Sequence, residues 1–515
     1  MKNINKIQLA VLTLLVAILL VACSDNATPT AGSTTTSATT TNAATTSEAV
    51  TTSEAATTTE AGAMSGSIVS GTAVAAGTLE PTFMPAMTNQ TPIAAPSTTS
   101  AATPVAVKDS KLKTSMSIWS ALSGNQSQLL NDQVKQFMQA YPGVKVTVTQ
   151  YNPDEIEAEF QTASNAGNAP DLVLTTSDYV SDFTTTKLVQ PVDSLMDTKA
   201  YAPNAIAPSS QGGKQYGVPY VYGNTLVLMY NKKLIPTAPT DTDQLIQMAK
   251  DAMKPGTNKK DRVQGLIMDM NEPYDFAPWV YGFGGSLLDS NNQPLLNSAG
   301  VTQALQFFDQ LAYKDKIANA SYEPARNQAD YYFRDGTLAF YITTDQNAMN
   351  YASTSGAAAP PTARDPNGVG LELGIAPLPK VTATGKNPTP FTNSEAIFVG
   401  AKTSGDKLTA AKDFFSYVAS PDQQSYMAAH YKLLPPTTVG LASDAVKSNV
   451  ALSGIAAQLV LAIPEPSQPQ MKAVWDAIRP NLEAAVANVA KPQDAAQAMQ
   501  QAALAEIKLL GIVQP

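Results

Sequence analysis

The sequence predicts an α/β fold in two lobes at the end of a long disordered tether, and three observations carry that prediction. Between Met116 and Thr176 the pattern runs strand, helix, strand, helix, strand, an order that favours an α/β layer with parallel strands. The part that can fold, from near Leu112 to Pro515, is roughly 400 residues, more than one hydrophobic core organises, so two lobes are expected. Ahead of it stands a Thr-, Ser- and Ala-dominated segment whose few large apolar side chains do not offset its ordering entropy.

At the start of the chain, Lys2 and Lys6 form a short positive region before an apolar stretch of about 16 residues, Ile7 to Ala22, shorter than the ~20 a spanning helix needs. That is the pattern of a secretory signal. Leu20-Val21-Ala22-Cys23 resembles a lipobox, in which the cysteine is acylated and becomes the first residue of the mature protein. The alternative is a plain signal peptide with an incidental cysteine. Cys23 is the only cysteine in the chain, so it has no internal disulfide partner. An exported protein without disulfides rests on a large buried core. Cleavage removes Lys2 and Lys6 and takes the formal net charge from -9 to -11; with that balance a nucleic-acid partner is not expected.

From Ser24 to about Lys111, stretches such as AGSTTTSATTTNAATTSEAVTTSEAATTTEAG read as disordered, and at about 90 residues the segment spans ~50 Å root-mean-square. Met116–Trp119 is a short β-like run. NQSQLLNDQVKQFMQAY has amphipathic helical spacing, VKVTVTQY alternates as a strand, DEIEAEFQTASNAG returns to helical spacing, and DLVLTT reads as a buried strand.

The later motifs resemble a known family. IWS, YPGVKVTV, NAPDLVL, KQYGVPYVYGNTLVLMYNKKLI, NEPYDFAPWVYGFGG, YYFRDGTLAFYI, GIAPLPK and PEPSQPQMKAVWDAIRP occur in one order over about 400 residues. Together they resemble the extracellular solute-binding proteins of ABC importers, and among them the maltose/maltodextrin-binding branch. The resemblance implies a two-lobed periplasmic-binding-protein fold, type II-like, with ligand held in an interlobe cleft and hinge closure around it. It also implies a division into a lipoprotein signal peptide (1–22), the lipidated cysteine with its linker (23–112), an N-terminal lobe (113–221 and 376–432) and a C-terminal lobe (222–375 and 433–515).

A sugar site needs flat aromatic faces and groups that pair with hydroxyls. In Asn271-Glu272-Pro273-Tyr274 the resemblance makes Glu272 a hydroxyl acceptor and Tyr274 a stacking ring, with Pro273 fixing φ between them. Trp475 matches the family's C-terminal stacking tryptophan, and Arg479 follows four residues later on the same helical face. Asp178 and Glu157 match acidic contacts, although Glu157 also fits a solvated helix face. Tyr179 stands where maltose binders commonly have arginine, and Thr175 where they have tryptophan. Tyr222 and Asn224 fall where the family uses a glutamate near the hinge. Trp119 matches a family tryptophan, with packing as the rival reading. The family's first-lobe lysine has no counterpart in SALSGNQS, leaving Asn125 or Gln126 as amide donors. Where the family has Gly-Pro-Trp, this chain has Thr343-Thr344-Asp345-Gln346; Asp345 and Gln346 favour hydroxyl bonding over stacking. Trp279, Tyr281 and Phe283 read mostly as core of the second lobe.

Catalysis is not expected. The sole histidine, His430, argues against a Ser-His-Asp triad or a His-based metal site, no nucleotide-binding loop stands out, and no acidic pair is singled out as a glycosidase pair. The expectation is a monomeric, lipid-anchored, extracytoplasmic receptor without cofactor or metal. It would bind an oligosaccharide and deliver it to the transmembrane subunits of an ABC permease. Another carbohydrate or a polyol, a surface adhesin and a glycoside hydrolase are the alternatives.

Overall fold

The structure, a computed structural model, describes residues 111–253, 262–318, 329, 331–354 and 371–512. The expected signal peptide, Cys23 and the linker as far as residue 110 lie outside the described residues.

Strand β1 (Thr114–Ser120), helix α1 (Gly124–Ala140), β2 (Val144–Gln150), α2 (Ile156–Ala166) and β3 (Leu172–Thr176) follow in the predicted order. The alternation in β2 buries Val144 and Val146 and exposes Lys145 and Thr147. Helix α1 buries Leu130, Val134 and Phe137 on one stripe, and α2 ends at Gly167 with φ 80°, a left-handed cap. β1 lies between β2 and β3, parallel to both.

After α3 (Val180–Thr185), β4 (Val189–Gln190) and the small hairpin β5 (Ser210–Gln211) and β6 (Lys214–Gln215), β7 (Gly217–Gly223) completes this first pass. The chain then builds β8 (Leu226–Asn231), α4 (Thr242–Ala252), β9 (Gln264–Ile267), α5 (Pro273–Gly282), α6 (Ala299–Asp309), β10 (Leu338–Thr344), α7 (Asp345–Thr354) and β11 (Leu373–Ala376). These four strands form their own sheet in the order β11-β8-β10-β9. β12 (Phe391–Gly400) returns to the first sheet, pairing antiparallel with β3, β4 and β7. α8 (Gly405–Val418), α9 (Pro421–Tyr426) and α10 (Val450–Leu459) follow. β13 (Ile463–Pro464) then pairs with β12, and α11 (Gln470–Val486) and α12 (Pro492–Leu509) finish the described chain.

Each sheet has its own core. In the first, Phe137 meets Phe414 edge-on at 5.2 Å between ring centroids, and buried Gln133 accepts from the Tyr220 hydroxyl at 2.7 Å. In the second, β8 feeds two layers: Leu226, Leu228 and Tyr230 face the helices α5, α6, α11 and α12, while Val227 and Met229 pack with Phe333, Tyr351 and Ile455. Trp279 is fully buried on α5 against Phe307, with Tyr281 and Phe283 half-buried beside the same core. Helical spacing, not period-2 alternation, therefore disposes these three rings.

The chain leaves the first sheet at Asn224 and Thr225, two residues beyond the expected boundary at Val221, because β7 stays paired with β12 through Gly223. β11 is still in the second sheet at Ala376, so the return falls within 377–390. The last part does not stay with the second sheet throughout, since β13 rejoins the first along β12.

Candidate functional site

The β7–β8 crossover is a tightly held piece of backbone. Asn224 has φ 51°, a left-handed conformation costing a residue with a side chain roughly 1–2 kcal/mol. Thr392 Oγ1 donates to Gly223 O at 2.6 Å, and the Tyr274 hydroxyl donates to Asn224 O at 2.5 Å. Asp345 Oδ1 accepts from the Thr225 and Gln346 N–H groups at 3.3 and 2.9 Å. A Cβ on Gly223 would lie 2.3 Å from Asp345 Oδ2, so this close approach requires glycine.

Beside the crossover opens a cleft of about 460 Å³, within the ~300–1,000 Å³ typical of small-molecule sites. Its walls come from both sheets. Asn125 and Gln126 contribute from the start of α1, Tyr222 to Asn224 from the crossover, Asp345 and Gln346 from α7, and Asn393 and Glu395 from β12. Segment 431–434 closes one side, and Asn125 Nδ2 donates to Tyr431 O at 3.2 Å.

The structure sorts the expected site residues into groups. Tyr222, Asn224, Asp345 and Gln346 line the cleft. The Asp345 carboxylate, expected to bond ligand hydroxyls, accepts at Oδ1 from the crossover amide of Thr225 and from the Gln346 amide at the start of α7. Glu272, Tyr274, Trp475 and Arg479 form a second group where α5 meets α11. Arg479 holds Glu272 with two N–H···O bonds, Nη1 to Oε2 at 2.8 Å and Nη2 to Oε1 at 3.0 Å. Tyr274 and Trp475 flank Phe391, at centroid distances of 6.1 and 5.9 Å. Asp178 is exposed just beyond β3, and its charge reaches Tyr274, Glu395 and Glu465. Glu157 and Tyr179 are half-buried, and Asp178 acts on both. Trp119 lies against Tyr151 at 4.2 Å, and Tyr179 stacks on Phe183, both at the margin of a first-sheet core cluster. Trp119 therefore makes the packing contact that was its rival reading.

Sequence reasoning passed over Asn393, Glu395 and Glu465. Burial, and then the charge of Asp178, push Glu395 up to about 7. Glu465 is also pushed up to about 7 by burial and Asp178, although N–H groups of Asn393 and Trp475 favour its charged form. Burial likewise raises Asp345 to about 6 against the pull of its backbone donors. A signal for two of these was present: Glu395 interrupts the apolar end of FTNSEAIFVG, and Glu465 stands between two prolines in PEP. Among the described residues no group of three His, Cys, Asp or Glu is placed to hold a metal ion, and no helix is long and apolar enough to cross a membrane. The arrangement can hold a polar molecule by hydrogen bonds from both sheets with aromatic edges nearby.

Comparison with known proteins agrees in kind. A family model described as bacterial extracellular solute-binding protein matches residues 132–454. The chain is 23% identical over 368 residues to the maltotriose-binding protein of Pyrococcus abyssi, covering 70% of this chain and 75% of that one. It is 22% identical over 346 residues to a maltooligosaccharide ABC transporter solute-binding lipoprotein of Streptococcus pneumoniae, covering 65% and 75%. Among solved structures, the maltose/maltodextrin-binding domain from Bdellovibrio bacteriovorus bound to maltotriose is similar with a TM-score of 0.61. It is 28% identical and covers 76% of this chain and 100% of that one.

Proposed function

The chain belongs to the bacterial extracellular solute-binding proteins, and on that premise we propose that it captures maltose, a maltodextrin or a similar oligosaccharide and delivers it to an ABC permease. The reading includes a lipid anchor on Cys23, action as a monomer, and no covalent chemistry on the ligand. What carries it is one observation: side chains from both sheets converge on a cleft at the β7–β8 crossover, where a change of angle between the sheets would open or close the site.

The mechanism follows from which groups sit on which side. Asn125 and Gln126 line the cleft from the first sheet's elements, with Asp178 just beyond β3. Gln346 lines it from α7, and Trp475 stands on α11 beside Phe391, both on the second sheet's side. A ligand that bonds both sets stabilises the closed arrangement by its differential affinity for it. Tyr274 couples α5 to the crossover through Asn224 O, so the element carrying Glu272 moves with the hinge. Relatives named for maltotriose and maltooligosaccharides support the choice of α-glucan, and the named lipoprotein among them supports the anchor.

Tryptophan fluorescence tests the reading. Trp279 is fully buried, Trp119 packs on Tyr151, and Trp475 stands beside Phe391 where α5 meets α11, so a saturable change on adding maltotriose is expected to come from Trp475 and to vanish in Trp475→Phe. A change that persists in Trp475→Phe would place the ligand elsewhere.

A further inference from the structure

Charge is sorted along the strands of the first sheet. β2 and β3 run parallel to β1, and β12 runs antiparallel to β3. The starts of β1, β2 and β3 and the end of β12 therefore share one end of the sheet. The cleft opens at the other end, beside Thr176, Glu395 and the crossover. That cleft end carries acids: Asp154 and Glu155 before α2, Glu157 and Glu159 in its first turn, and Asp178 beyond β3. The far end carries exposed lysines. Lys111 and Lys113 lead into β1, and Lys145 of β2 pairs opposite Ser115. Lys187 and Lys402 are brought together where Ala401 N–H donates to Leu188 O at 2.9 Å. With Lys407 they line a second cavity, of about 580 Å³, between the last turn of α2 and the start of α8.

Little at that end neutralises them. Lys407 is paired with buried Asp171 at 2.9 Å, Asp406 stands exposed in the first turn of α8, and Asp413 further along α8 is offset by Lys412 beside it. The excess of lysines is positive in a chain whose formal net charge is -9. The seven residues of β1 separate the two ends by roughly 23 Å, over twice the ~10 Å screening length at 0.1 M salt. A surface touching the lysine end therefore feels the lysines and not the acids of the cleft. The described chain also begins at this end, at Lys111, and residues 23–110 join it there. A segment of that length reaches ~50 Å, so an anchor at Cys23 keeps a membrane within range. Anionic headgroups form a broad sheet of fixed negative charge that matches lysines spread over several strand ends. Each lysine at such a surface raises partitioning roughly fivefold.

We propose that the lysine end of the first lobe docks on an anionic phospholipid surface, with the cleft end of the sheet directed away from it. Docking of this kind is independent of what the cleft binds; the anchor at Cys23 only keeps the membrane within reach.

The test uses the mature chain from residue 23 with Cys23→Ser, so that no acyl chain contributes. Vesicles are made of phosphatidylcholine alone or mixed equally with phosphatidylglycerol, and binding is read by co-sedimentation. At 0.1 M salt, partitioning onto the anionic vesicles is expected to exceed that onto the neutral ones roughly tenfold or more, and to collapse at 0.5 M salt. Combining Lys145→Gln, Lys187→Gln and Lys402→Gln should cost roughly tenfold or more. Combining Lys233→Gln, Lys386→Gln and Lys491→Gln, exposed lysines among the second sheet's elements, should leave partitioning as in the parent. All six side chains are exposed, and matching circular-dichroism melts verify that both variants fold. Equal partitioning onto the two kinds of vesicle would overturn the docking and leave the saccharide reading standing. An equal loss in the two variants would also overturn it, because the effect would then belong to overall charge. Soluble polyphosphate bound by the parent as tightly as the anionic vesicles would overturn it too, assigning the lysine end to a free polyanion.

Discussion

Glu395→Gln offers a quantitative test of the buried acid in the cleft. In the ligand-free fold this carboxyl is held near 7 against an ordinary value of 4.5. Between those values the folded state binds more protons than the unfolded chain, so this group makes stability fall as pH rises through the window and level off above it. The shift corresponds to about 3 kcal/mol once the group is fully ionised. For a folded part of roughly 400 residues, with an unfolding entropy of ~2 cal/mol/K per residue, that is about 4 °C in Tm. Glu395→Gln removes the cost and keeps the shape. The variant should match the parent at pH 4.5 and melt about 4 °C higher at pH 7.5, read by circular dichroism or calorimetry without ligand. A melting difference of the same size at both pH values would refute the electrostatic reasoning, since a packing effect does not titrate.

Three further substitutions probe the crossover and its neighbours. Gly223→Ala places a Cβ against the Asp345 carboxylate and should cost roughly 1–3 kcal/mol by overpacking; denaturant unfolding with an unchanged midpoint would contradict the close approach. Tyr274→Phe removes the hydroxyl that donates to Asn224 O, and a loss of about 1 kcal/mol is expected, with faster amide exchange at Thr225 as the local readout. Glu272→Gln weakens its two-bond pair with half-exposed Arg479 and should change stability by less than about 1 kcal/mol. A much larger loss would mark that pair as a structural strut.

What the sequence disclosed follows from the range of the interactions involved. The strand and helix pattern from β1 to β3 is local, written in the alternation of VKVTVTQ and the helical spacing around Phe137, and the structure has the same order. The shared helical face of Trp475 and Arg479 is equally local. The central strand β12 was not legible as such, because its partners Thr175 and Val218 lie far behind it in the chain. The Glu272–Arg479 pair likewise joins residues 207 positions apart. Glu395 and Glu465 stand out in the sequence only through their neighbours, an apolar run and a pair of prolines. Their raised pKa values come from burial and from Asp178, which only the sheet topology brings near. Asp345 is the instructive case: its place after β10 was readable, but its carboxylate turns back to the Thr225 and Gln346 amides, a choice set by the crossover's three-dimensional course.

The most direct test of the central claim is calorimetric titration of maltose, maltotriose and longer maltodextrins into the purified full-length protein. Cleft capture predicts saturable binding of at least one of them at one site per chain. That binding should weaken in Trp475→Ala and Asp178→Ala while both variants keep a cooperative unfolding transition. Absence of heat with every α-glucan, from protein that unfolds cooperatively, would contradict the assignment of this cleft to such sugars.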